Sequence, residues 1–346
     1  MRPKNPNKSS VDPRQLLRVG GKQSLDRLLR GVGYVPQAQT LNDLALALRR
    51  SKPLLLGGPR GGGKTAIAED LAAACNVPLF SIPGHEAVDA RDIMGGWDRA
   101  EQEITVRQAV EAGMSLVEAR EQKWHWDFYE SGEFLDAYKE AARAAACGDP
   151  APVLLIDEVE KLPLKLQHTL LQPLARGFAD VPKLAGIIGV EQPEHRPIVI
   201  LTSNDLSLLS EPLTSRCFVT WMQPPAPAEE VLIFRARVPH ARPEMVTAVA
   251  AMIDFIREDM PELRNQPGIR ESVDLLAALT DDGVTRITVE VVDEYLACLG
   301  KGKNELEVLG QNNDGLAWAA QNPSAEIIGW VDQAFEKSAH LSEVAA

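Results

Sequence analysis

Cysteine is scarce and scattered, with Cys75, Cys147, Cys217 and Cys298 the only four in 346 residues. That spacing supplies neither a metal-binding pair nor a disulfide framework, and it predicts a reduced, cytosolic chain. No apolar run approaches the roughly eighteen residues that a membrane-spanning helix needs, so no membrane insertion is expected. The opening residues, MRPKNPNKSS, lack the apolar core of a signal peptide. Positive charge is in deficit: 36 Lys and Arg stand against 49 Asp and Glu, a formal net charge of −13. An acidic body is a poor generic binder of nucleic acid, because phosphate contacts dominate that affinity. No internal repeat is found, which excludes a solenoid.

What remains is the composition of a globular protein, 45% hydrophobic and 25% charged. The length suffices for a large core and a smaller second domain. The charge is unevenly spread: residues 1–64 carry +10 and the remainder −23. A basic arm of this kind can meet RNA, an acidic partner or the acidic face of a second subunit. Residues 1–12 are expected to be a solvated, disordered tail, followed by a helix near Pro13 to Arg30.

Apolar runs at Leu54–Leu56, Leu79–Ile82, Val153–Ile156, Ile198–Thr202 and Cys217–Trp221 read as buried strands, separated by helical patterns. That alternation predicts an α/β fold, a parallel sheet sandwiched by helices. Pro224-Pro225-Ala226-Pro227 is a stiff break. Beyond it the chain reads as helical, apart from Arg286-Ile287-Thr288. The expected organisation is an N-terminal arm (1–30), an αβα domain (31–224), a small all-helical lid (225–302) and a tail (303–346). One helix, Pro323 to Ser338, is expected in that tail.

Between the first strand and a helical segment lies Gly58-Pro59-Arg60-Gly61-Gly62-Gly63-Lys64-Thr65, the pattern G-x-x-x-x-G-K-[ST] in its proper strand–loop–helix context. Glycines let backbone N–H groups turn inward, and the following helix N-terminus adds partial positive charge, which together cradle polyphosphate. Lys64 is expected to reach the β- and γ-phosphates of ATP, and the Thr65 hydroxyl to hold Mg²⁺. About ninety residues downstream, Val153-Leu154-Leu155-Ile156-Asp157-Glu158 reads as a strand ending in two acids, where open α/β sheets bind ligands. Asp157 is expected to complete the Mg²⁺ shell through water, and Glu158 to polarise the attacking water as general base. The polar end of a further strand, Thr202-Ser203-Asn204, supplies an amide able to bridge γ-phosphate and water.

These motifs, in this order, resemble an AAA+ ATPase of the MoxR-type branch. GYVP around Tyr34, ARDIMGGWD (Ala90 to Asp98), VLLIDEVEKLP and IVILTSND add to the resemblance, which covers roughly residues 31–300. It implies a homo-oligomer, a hexameric ring with ATP between neighbouring subunits. Within Leu209-Ser210-Glu211-Pro212-Leu213-Thr214-Ser215-Arg216-Cys217-Phe218, Arg216 matches the arginine finger that reaches the neighbour's site. In LRNQPGIRESVDLLAAL (Leu263 to Leu279), Arg270 matches the lid arginine that touches the γ-phosphate. The same resemblance places Tyr34, Val35 and Ala66 beside the nucleotide with the loop residues. Two departures stand out: Ser215-Arg216 replaces a pair of basic residues, and Pro267-Gly268-Ile269 replaces Pro-Ser-Thr, weakening the helix cap.

By resemblance, the chain is an ATP-hydrolysing remodelling chaperone that acts with a von Willebrand A partner on a protein substrate. Such partnerships insert metal cofactors or mature and disassemble complexes. Two other readings stay open, a nucleic-acid-directed AAA+ motor or loader, and a P-loop phosphotransferase. Two surfaces could engage a substrate. In the stretch Asp98 to Asp149, Val106, Val110, Met114, Val117, Trp124 and Phe128 fall on one face of an expected long helix. The segment Phe178 to Arg196 suits a β-hairpin.

Overall fold

The computed structural model describes residues 1–344 other than 182, 185, 186 and 264, with side chains described up to 336. The strands run, in chain order, β1 (Leu54–Gly57), β2 (Leu79–Pro83), β3 (Gly95–Trp97), β4 (Tyr129–Ser131), β5 (Val153–Asp157), β6 (Phe178–Asp180), β7 (Ile187–Gly189), β8 (Ile198–Ser203) and β9 (Phe218–Trp221). Five of them form one parallel sheet in the order β2-β5-β8-β1-β9. The aliphatic runs of β1, β5 and β8 are buried on both faces, as parallel strands covered by helices require. The expected α/β sandwich is therefore the observed fold.

Two compact units emerge from the contacts. The first comprises Met1–Leu28, Ala38–Gly58 and Lys64–Trp221; the second comprises Leu29–Gln37, Pro59–Gly63 and Met222–Ala346. In the first, register aligns the carboxyl ends of the strands: Gly57 pairs with Ser203, Ile156 with Leu201, and Pro83 with Asp157. A core of aliphatic residues with Phe80, Phe134 and Tyr138 packs against the sheet. The expected hairpin is present, with β6 antiparallel to β7; of its glycines, Gly186 lies outside the described residues.

The first twelve residues are mostly exposed, yet they are not a disordered tail. Arg2 and Leu79 exchange both backbone hydrogen bonds, so the N-terminus extends the sheet along the otherwise open edge of β2. Asn76 then holds the passing chain, accepting from Asn5 N–H at 2.8 Å and donating to the carbonyls of Asn5 and Lys8 at 3.0 and 2.6 Å. The expected helix Pro13–Arg30 follows, kinked at Gly21. Its Arg14 is buried and donates to the carbonyls of Glu194 and Arg196, both at 2.8 Å. Burial lowers the Arg14 guanidinium to about 10. The composition of the arm spoke for solvation, but three-dimensional partners for its polar groups outweigh that tendency.

The expected long helix after Asp98 is also corrected. It is two helices, Arg99–Glu111 and Leu116–Gln122, parted at Gly113 (φ 96°) and restarted by a capping box of Ser115 and Glu118. Val110 and Val117 are exposed, so the apolar stripe does not face a core. The aromatics behind it do pack. Trp97 meets Trp124 and Tyr129 edge to face at 4.9 and 5.1 Å, across the small antiparallel sheet of β3 and β4.

The second unit is helical. Its core joins residues from Pro227–Arg237, Pro243–Asp259, Ile269–Asp281 and Val289–Leu299 with Leu309, Leu316 and Val331. The tail holds three helices, Lys303–Gln311, Asn313–Gln321 and Ala325–Val344, rather than one. Turn-forming Asn and Gly residues hid the first two, whose apolar residues find their partners in other helices. Within this unit Arg257 makes a two-pronged ion pair with the buried Glu230, 2.7 Å on each side. Burial pushes the Glu230 carboxyl up, and Arg257 pulls it back. Arg257→Ala would strand that carboxylate, at a cost of about 3 kcal/mol, read as a lower urea midpoint for the full chain. An unchanged midpoint would show that Glu230 needs no partner.

Candidate active site

The loop that follows β1 has the backbone that its glycines permit. Gly58, Gly61 and Gly63 have φ of 149°, 75° and 79°, values that side-chain-bearing residues rarely adopt. A Cβ on Gly63 would meet nothing within 4 Å, so conformation rather than crowding demands glycine there. The helix Lys64–Cys75 starts immediately after. Lys64 is buried, and its ammonium donates to the Gly58 carbonyl at 2.8 Å and to Asn204 Oδ1 at 3.0 Å.

Asp157 ends β5 and receives two hydroxyls. Thr65 donates to its Oδ1 at 2.9 Å, and Thr202 donates to the same oxygen. The Thr202 hydroxyl also accepts from the Glu158 N–H at 2.9 Å. Glu158 is held in the left-handed region (φ 48°, ψ 50°), a conformation that costs a non-glycine residue about 1 kcal/mol. Its surroundings enforce this. Gly84 donates its N–H to the Asp157 carbonyl at 2.7 Å, and a Cβ at Gly84 would fall 2.1 Å from the Glu158 carbonyl. The Glu158 side chain lies at the strand ends, beside the residue that follows β8. There its Oε1 accepts from Asn204 Nδ2 at 2.9 Å and its Oε2 pairs with Lys161.

Asn204 stands at the centre of this network. Besides Lys64 and Glu158 it meets Glu160, whose Oε1 accepts from the Asn204 backbone N–H and from Nδ2, both at 3.1 Å. The next residue, Asp205, accepts from the Ser207 hydroxyl at 2.6 Å and from its N–H at 2.9 Å; those bonds hold the Asp205 carboxyl below its usual range and pin the turn. Thus Lys64, Thr65, Asp157, Glu158 and Asn204, drawn from three distant segments, converge at one end of the sheet. Thr202, Glu160 and Lys161 belong with them, although no sequence pattern gives them a role. A threonine inside the aliphatic run of β8 was the available signal for Thr202.

Arg216 sits between the helix Glu211–Thr214 and β9, where its guanidinium donates to the Pro212 carbonyl at 2.6 Å and its backbone N–H to the Leu213 carbonyl at 3.1 Å. Arg270 is exposed in the first turn of the helix Ile269–Asp281, in the helical unit. Glu271 caps that helix from within by accepting the Gly268 N–H at 3.1 Å, offsetting the missing serine. Tyr34 is buried and Val35 half-buried, both in the helical unit. Pro59, Arg60 and Gly61 are exposed, whereas Gly62 and Ala66 are half-buried.

The donor set fits a hard, oxygen-loving cation with a polyphosphate. Thr65 and Asp157 present a hydroxyl and a carboxylate side by side, and Mg²⁺ characteristically takes few protein oxygens and completes its shell with phosphate and water. Among the described residues no cluster of three or more His, Cys, Asp or Glu side chains forms a separate metal cage. Burial pushes the thiols of Cys75 and Cys217 up to about 12, which makes both poor nucleophiles at neutral pH.

Residues 53–217 match the family model described as AAA domain (dynein-related subfamily). Over 62 residues the chain is 34% identical to Protein NorQ of Paracoccus denitrificans, a stretch covering 18% of this chain and 23% of NorQ. Over 54 residues it is 39% identical to an uncharacterized protein of Staphylococcus haemolyticus, covering 16% of this chain and 20% of that one. The matched stretch thus spans less than a quarter of either curated relative. Among solved structures, a mutant of RuvB from Thermogota maritima is similar with a TM-score of 0.42 and 15% identity, over 76% of this chain and 70% of that one.

Proposed function

The chain is an AAA+ protein, residues 53–217 forming its AAA domain, and from this premise we propose that it is a MoxR-type remodelling ATPase. In this reading it hydrolyses ATP with Mg²⁺ as a hexameric ring and acts on a protein substrate with a von Willebrand A partner in the cytoplasm. One observation carries the enzymatic part: Lys64, Thr65, Asp157, Glu158 and Asn204 share a single hydrogen-bonded network at the carboxyl end of the sheet. The motif order and the similarity to NorQ support the branch.

Each residue then has a defined task. The loop Gly58–Gly63 and the Lys64 ammonium bind the β- and γ-phosphates. Thr65 holds Mg²⁺ and Asp157 completes its shell; the cation, when bound, neutralises charge that builds on the phosphate oxygens. Glu158 orients the attacking water and accepts its proton, for which it must exchange Lys161 for that water. Asn204 presents Oδ1 to the Lys64 ammonium and Nδ2 to Glu158, so its amide links the phosphate-binding lysine to the base. Arg216, whose guanidinium donates to the Pro212 carbonyl, and the exposed Arg270 supply the forked cations that suit phosphate. The arm does not favour the nucleic-acid alternative by its placement alone: Arg14 is buried against carbonyls, whereas Arg2, Lys8, Arg18, Lys22 and Arg27 are exposed.

A ring in which each site is completed by a neighbour's arginine must assemble more tightly on ATP, since ATP binds the assembled state better and shifts it by mass action. In the Glu158→Gln variant, which retains ATP, light scattering is expected to give a hexamer mass with ATP and Mg²⁺ and smaller species without nucleotide. A monomer mass across micromolar concentrations with saturating ATP would overturn the ring and favour a phosphotransferase.

A further inference from the structure

We propose that Glu160 is the positioning residue for Asn204 in ATP hydrolysis; this rests on the ATPase reading above. Asn204 presents two chemically opposite edges, a carbonyl oxygen and an NH₂ group, and only one orientation suits its neighbours. With Oδ1 toward the Lys64 ammonium and Nδ2 toward two carboxylates, every contact joins a donor to an acceptor. Rotated by half a turn, the amide would set NH₂ against ammonium and oxygen against carboxylate. Charge on both sides therefore selects the orientation.

Glu158 and Glu160 share that selection but differ in permanence. Glu158 must exchange its Lys161 partner for the attacking water. Glu160 has no such duty, and it grips Asn204 twice, through Nδ2 and through the backbone N–H at 3.1 Å each. The second bond fixes the strand end itself, so Glu160 keeps hold while Glu158 works. It is carried by the turn Val159–Lys161, whose Val159 is buried in the core of the sheet unit. Glu160 Oε2 is buried without a hydrogen-bond partner. A carboxylate oxygen left so is costly, and an unconstrained side chain would turn it to water. The side chain is held at Asn204 against that cost.

The test compares Glu160→Ala, Glu160→Gln, Asn204→Ala and the Glu160→Ala/Asn204→Ala double variant by steady-state ATPase kinetics. Loss of a charge-assisted grip predicts a fall in kcat on the order of tenfold for Glu160→Ala, with KM for ATP changed only a few-fold. Glutamine keeps one acceptor oxygen and is expected to restore most of the turnover. Because Glu160 acts through Asn204, the double variant should be no slower than Asn204→Ala alone. Losses that multiply, or a Glu160→Ala enzyme of normal kcat, would overturn the proposal. Should Glu160→Ala fail to fold, Glu160→Leu fills the volume without an acceptor and poses the same question. A crystal structure of the variant tests the grip independently of turnover: the Asn204 amide should leave Lys64, and an unmoved amide refutes the grip. A wild-type protein that hydrolyses no ATP would instead sink the ATPase reading, with the crystallographic comparison still deciding whether Glu160 holds Asn204.

Discussion

Glu158→Gln is expected to lower ATP turnover by on the order of a hundredfold or more, with nucleotide affinity within a few-fold of wild type. Glutamine has nearly the same shape and can still accept from Asn204 Nδ2, the contact made at 2.9 Å by Glu158 Oε1. It cannot take a proton from water. The left-handed backbone of Glu158 depends on the bond from its N–H to Thr202 and on the absence of a side chain at Gly84, and the substitution touches neither. Lys64→Ala should behave differently. Its ammonium lies between the loop carbonyl of Gly58 and Asn204, where removal takes away the cation facing the phosphates, so affinity falls together with turnover. Equilibrium binding of a fluorescent ATP analogue beside steady-state hydrolysis separates the two. Equal affinity losses in both variants would refute this division of labour.

Arg216→Ala is expected to lower turnover about a thousandfold, the scale on which arginine fingers act. The effect should operate between subunits. Arg216 is bonded to its own turn and to no member of the Lys64–Asp157–Asn204 network. Mixing offers the decisive measurement. A Lys64→Ala chain has a dead site and an intact finger; an Arg216→Ala chain has the reverse. Where an Arg216→Ala site faces the finger of a Lys64→Ala neighbour, a complete site is rebuilt, so mixed rings should regain activity that neither variant shows alone. Mixed assemblies verified by mass that stay inactive would assign Arg216 a role within its own subunit or in structure alone.

Local pattern was enough for much of this protein. Aliphatic runs read as parallel strands, and β1, β2, β5, β8 and β9 lie where those runs do, with the fully buried runs of β1, β5 and β8 at the centre of the sheet and β2 and β9 at its edges. The glycines around Lys64 encode a backbone that few other residues permit, so the loop and the start of its helix were legible as well. Two acids after an aliphatic strand placed Asp157 and Glu158 at the ligand-binding end of the sheet. Elsewhere local pattern misled for identifiable reasons. Polar composition suggested a loose N-terminus, yet Asn76 and the edge of β2 supply partners that no local pattern announces. Apolar periodicity suggested one helix after Asp98, yet Gly113 and the Ser115 cap divide it.

The sequence by itself determined the kinds of groups available: a phosphate loop, hard oxygen ligands, a base and a polar strand end, set on an alternating α/β chain. Only the tertiary structure decided how they are wired. Strand order puts β8 between β5 and β1, and register then brings Asn204 to Lys64 on one side and to Glu158 and Glu160 on the other. Thr202 and Glu160 became functional candidates only there. A hydroxyl in an aliphatic strand or an acid in a turn has many ordinary fates, and hydrogen-bond partners far apart in sequence are chosen by the packing of the sheet. Propensity acts over a few neighbouring residues; these contacts span 44 to 140 positions, a range on which only the folded chain carries information.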